Sequence, residues 1–201
     1  MTGAIALAMT GCGPKTADGA PPAPEATPAA PAAAKETPQG EARMKRPPVQ
    51  APNGAWLVYE NLALDDADRS GNHRFAITRD GCFWQARNGE LFITDKARLN
   101  SDDPADHWNK PLPSKPQRCL TAEQVKGLEA AITAADFGAL KPLYATAPED
   151  RSSHPALERW TLIGTDGKQT QVEVEDEATP AALKTLRSAI DALIAAAPKT
   201  E

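Results

Sequence analysis

The chain has 201 residues and a formal net charge of -5, with 22 Lys and Arg against 27 Asp and Glu. That mildly acidic balance argues against a nucleic-acid surface. No apolar run reaches the roughly 18 residues that a membrane-crossing helix needs. Ten of the 19 prolines fall within residues 1–52, and every Phe, Trp and Tyr falls after them. A segment so rich in Pro and Ala, and without aromatics, cannot bury enough surface to offset its ordering entropy. The chain therefore reads as a disordered arm over 1–52 and one folded domain over 53–199.

The arm opens with a short apolar stretch that ends Met9-Thr10-Gly11-Cys12. An apolar residue, a small residue and Gly before a Cys resembles the lipobox of bacterial lipoproteins. The resemblance implies that Cys12 carries the lipid and becomes the N-terminus, with residues 1–11 the remnant of a signal peptide. It departs from the pattern in having Met at the first lipobox place and no basic residue ahead of Ala4. Gly13, where an Asp would signal inner-membrane retention, implies the outer membrane. The expected address is the cell envelope, with the domain facing the periplasm or the cell surface. The expected partners are the membrane, through the lipid, and an envelope protein or cell-wall component. Residues 13–52 follow as a Pro/Ala tether. Its reach is about 120 Å stretched as polyproline II and nearer 35 Å as a coil.

With Cys12 lipidated, Cys82 and Cys119 remain. An even remainder in an oxidising compartment points to a disulfide, with two inert buried thiols as the bland alternative. Neither has a nearby Cys or His to make a zinc site.

The domain opens with an apolar and aromatic strand over Ala55–Leu62. The polar turn after it holds Asp66, Asp68, Ser70 and Gly71. These resemble the first half of a calcium loop, with oxygen ligands at alternate positions. The pattern then breaks, because Ile77 stands where the bidentate Glu belongs. The plainer reading is turn geometry. Residues 73–80 and 82–87 alternate at period two around the Asp80-Gly81 hairpin signal. Asn88-Gly89 predicts a second tight turn and a fourth strand over Glu90–Asp95.

A polar, Pro-rich loop spans 96–118. Within it, Asp103, Asp106 and His107 have side chains able to bind a metal or do acid/base work. Trp108 is a loop indole of the kind that meets a partner. The plainer reading is a solvated acidic loop. Thr121-Ala122-Glu123-Gln124 is a capping box, so a helix starts at 122 and runs to about Ala135. Strands follow over 157–164 and 169–174. Thr179 as N-cap and Pro180 at the first helical position predict a closing helix, striped by Leu183, Leu186, Ile190, Leu193 and Ile194.

The order β-β-β-β-α-β-β-α predicts an α+β fold: an antiparallel sheet of about six strands with two amphipathic helices on one face. The capped helix, the "ADFGAL" segment, the Thr-Asp-Gly hairpin and the Pro-started last helix loosely resemble lipoprotein domains of unknown function. None of these motifs carries an active site, and no cofactor is implied apart from calcium. The expected function is a non-catalytic binding or accessory module. The alternatives are an envelope hydrolase or metal-dependent enzyme using the 101–108 loop, and a calcium-stabilised module using the 65–72 turn.

Overall fold

Residues 47–63, 67–176 and 178–199 are described by a computed structural model. Strands β1 (Ala55–Ala63), β2 (His73–Thr78) and β3 (Cys82–Arg87) make an antiparallel meander. Strands β6 (Ala156–Ile163) and β7 (Gln169–Glu175) make a hairpin whose first strand pairs with β1. Two-residue strands β4 (Arg118–Cys119) and β5 (Leu143–Tyr144) close the edges, giving the order β4-β3-β2-β1-β6-β7-β5.

The α+β class holds, but the sheet has seven strands and is mixed. Its one parallel pair is β5 with β7. After the first long helix the chain passes along β7 in the same direction, and Glu173 N–H donates to Pro142 O at 3.0 Å.

The β2–β3 turn needs glycine twice over. Gly81 has φ +85°, and a Cβ there would lie 2.5 Å from Val125 Cγ2. No side chain fits that space, and only glycine takes that φ without cost. Cys82 and Cys119 sit opposite each other across β3 and β4 and are bonded as a disulfide. The expected staple is therefore present.

The strand expected over 90–95 does not form. Residues 91–93 pair instead with the 67–69 loop: Arg69 N–H donates to Leu91 O, and Ile93 N–H to Ala67 O. The cause lies at Asn88, which turns inward instead of making a tight hairpin. Its buried amide donates to Arg69 O at 3.0 Å and to His107 O at 2.7 Å. The edge beside β3 is filled by Arg118–Cys119.

The long loop contains two single-turn helices, α1 (Lys96–Leu99) and α2 (Pro104–His107), capped by Asp95 and Asp103. Helix α3 (Ala122–Ala135) has the expected capping box at Thr121 and Gln124. Helix α4 (Ala181–Ala196) starts one residue late. Pro180 is its N-cap, and no side chain caps it. Thr179 is not the cap because its hydroxyl donates to Glu158 Oε2 at 3.2 Å.

Alternation along each strand sorts the sheet into two faces. Leu57, Tyr59, Phe75, Ile77, Phe83, Trp160, Val172 and Val174 pack against Leu128 and Ile132 of α3 and Leu183, Leu186 and Ile190 of α4. Both long helices thus cover one face. On the other face Val58 and Ala76 are joined by a buried pair, Glu60 and Arg159. Residues 47–52, read from composition as tether, lie on this face. Val49 packs on its apolar patch, Arg159 Nη1 donates to Pro47 O at 2.6 Å, and Arg74 donates to Gln50 Oε1.

Candidate functional site

The residues singled out in the sequence do not gather into one site. Cys12 and Asp66 lie outside the described residues. Asp68 Oδ1 accepts the N–H of Ser70 at 2.9 Å, which is the turn geometry of the plainer reading. Asp103 caps α2 through Ala105 N–H. Asp106 pairs with Arg98 at 2.7 Å, and the hydrogen bonds from Arg98 and then Ser101 hold its carboxyl below the usual range. His107 is buried against Arg69. Each of the three is committed to a different partner, so they do not converge on a reacting atom. Among the described residues, no three His, Cys, Asp or Glu side chains come together to hold a metal. Trp108 is buried, packed with Leu62 and Leu157 under the Arg74 guanidinium, 4.5 Å from the ring centroid. Its indole is therefore a packing group rather than a surface contact.

The His107 site fixes its own tautomer. Arg69 Nη1 can only donate, so Nδ1 accepts. Ser101 O can only accept, so Nε2 carries the proton and donates to it. Burial, and then Arg69, hold the imidazole below its ordinary value. With Asn72 and Asn88, which also reach His107 O, this network sews three loops to one end of the sheet.

Among the described residues, a well-formed concavity lies on the helix-covered face. It is a groove of about 800 Å³ between α4, the ends of β1, β6 and β7, and the loop 150–154. Its apolar lining comes from Trp160, Val174 and Leu183. Strand alternation brings Glu158 to the helix side, and both of its oxygens are engaged there. Tyr59 Oη donates to Oε1 at 3.0 Å, and Thr179 to Oε2 at 3.2 Å. Burial first, and then the Glu158 charge, push the Tyr59 phenol above its ordinary range. Tyr59 therefore stays a protonated donor.

The α4 wall carries Lys184, Arg187 and Ser188. Positions 184 and 187 are three apart and so lie on one helix face. The Arg187 guanidinium lies 4.5 Å from the Tyr59 ring centroid and 5.4 Å from that of Phe75, and its Nε donates to Asp191. It is held over these rings, with its charge at the groove edge. On the other wall, Asp150, Ser152 and His154 line the groove at alternate positions. Asp176 lies beside them in a left-handed turn (φ 42°), with Oδ1 accepting from Ala156 N–H.

Sequence reasoning passed over this groove because its walls come from β1, β6, β7, α4 and one loop, spread over some 130 positions. The one local signal was Thr179-Pro180 ahead of a helix carrying Lys184 and Arg187, and it was read as a cap alone.

No family model, no curated protein and no solved structure matches this chain.

Proposed function

We propose that this protein is a lipid-anchored envelope module that binds its ligand without chemistry, using the groove beside α4. The observation that carries the reading is the groove itself, where charged and hydroxyl side chains surround an apolar floor. Its best-placed carboxylate, Glu158, already accepts two hydroxyl protons. Those two hydrogen bonds hold Glu158 in place as a fixed polar contact on the groove wall. The lipobox-like Met9-Thr10-Gly11-Cys12 and the Pro/Ala arm support the anchoring half of the proposal.

The anchor is tested by feeding labelled palmitate to a bacterial host that expresses the chain, followed by membrane fractionation. The intact chain takes up label and sediments with membranes, whereas Cys12→Ala is unlabelled and released. Equal labelling of both chains would remove Cys12 as the anchor.

A further inference from the structure

The groove has an uneven charge plan. Lys184 and Asp150 both line it, and among the described residues neither has an ion-pair partner. They are also not within salt-bridge distance of each other. On the side of β6 and the 150–154 loop, the carboxylates of Asp150, Glu158 and Asp176 accumulate. On the α4 side stand Lys184 and Arg187, beside the first turn of a 16-residue helix that no side chain caps. An uncapped N-terminus adds partial positive charge to that wall.

The floor between the two walls is apolar and buried. Trp160 is 1 % exposed and lines the groove, and its Nε1–H has no hydrogen-bond partner among the described residues. That atom is itself buried, as is the equally unpartnered Nε1–H of Trp108, so the indole serves the groove as packing. A stacked sugar is disfavoured by the same ring, because a buried indole offers no open face.

The geometry points to a zwitterionic ligand, an amino acid or short peptide, whose carboxylate meets Lys184 and the α4 terminus and whose ammonium meets Asp150 and the carboxylates near it. The two opposed walls then act as a ruler, because both charges are satisfied only when the ligand carries both. This ligand class rests on the groove being the binding site.

The probe is tri-alanine, titrated into the full ¹⁵N-labelled chain and followed by amide shifts. Two blocked forms run beside it: N-acetyl-tri-alanine and tri-alanine amide. Tri-alanine is expected to shift the amides of Thr179, Lys184 and Ser188 saturably. Each blocked form should bind about tenfold more weakly, the scale of one lost charge-assisted contact. Lys184→Met should weaken the amide-blocked form little and tri-alanine about tenfold, and Asp150→Asn should weaken N-acetyl-tri-alanine little and tri-alanine about tenfold. Both positions are exposed, so neither change threatens the fold. If the blocked forms shift the groove amides as strongly as tri-alanine, the zwitterion inference falls and the groove reading stands. If no form shifts any groove amide, both fall.

Discussion

Glu60 and Arg159 face each other across β1 and β6, and Arg159 Nε donates to Glu60 Oε2 at 2.7 Å. Burial outweighs the guanidinium and pushes the Glu60 carboxyl up, so desolvation takes back much of the pair's attraction. The pair thus matters more when half of it is removed than when both halves go. Arg159→Met should cost about 3–5 kcal/mol in urea unfolding, whereas Glu60→Leu with Arg159→Met should recover most of that loss. A double variant as unstable as the single one would contradict this reading. His107 and His73 set the acid limit. Burial is the main cause for both, with Arg69 acting on His107, and Arg187 and then Arg87 acting on His73. Both imidazoles are held below the ordinary value of 6.5. Unfolding therefore takes up protons, so their stability is complete above that value and is lost as pH falls through the folded pKa. The unfolding free energy from urea titrations should drop below about pH 6.5, by up to about 1.4 kcal/mol per pH unit for each histidine. His107→Gln, which keeps one acceptor and one donor, should make that slope shallower. An unchanged slope would remove His107 as a source.

At the scale of elements, the segment 47–52 is the clearest revision. Composition places it with the tether, since three of its six residues are proline. Arg159 and Arg74 nevertheless reach its backbone and Gln50, and Val49 fills the patch over Val58 and Ala76. A chain starting at residue 53 should be less stable than one starting at 47 by about 2 kcal/mol, the worth of a hydrogen bond to a charged group. Equal thermal midpoints would show the segment to be idle. Elements with strong local signals were legible. The capping box placed the start of α3, and period-two runs around Asp80-Gly81 placed β2 and β3. The errors arose where a distant partner decides. Glu90–Asp95 holds a strand-like apolar run, Leu91-Phe92-Ile93, but Asn88 is drawn toward His107 and carries the chain away from β3. The two edge strands have two residues each, too short for any periodicity to register.

For the molecule as a whole, the two faces of the sheet divide the work. The segment that leads back toward Cys12 lies on the face opposite the helices, and the groove lies on the helix face. On the proposed anchoring through Cys12, the domain is held from one face and the other stays clear. This division could not be read from the chain, because Asn61, Asp150, Glu158 and Lys184 become neighbours only when β1, β6 and α4 are assembled. The loop indole that looked like a contact, Trp108, supports that assembly from beneath. The central claim is that the groove, and not the 101–108 loop, meets the ligand. It is tested by placing a photo-crosslinking phenylalanine at Ser188 on the groove wall or at exposed Asp102, in the full chain, and irradiating whole cells. The account predicts an adduct by mass spectrometry at 188 and none at 102. An adduct at 102 with none at 188 would contradict it.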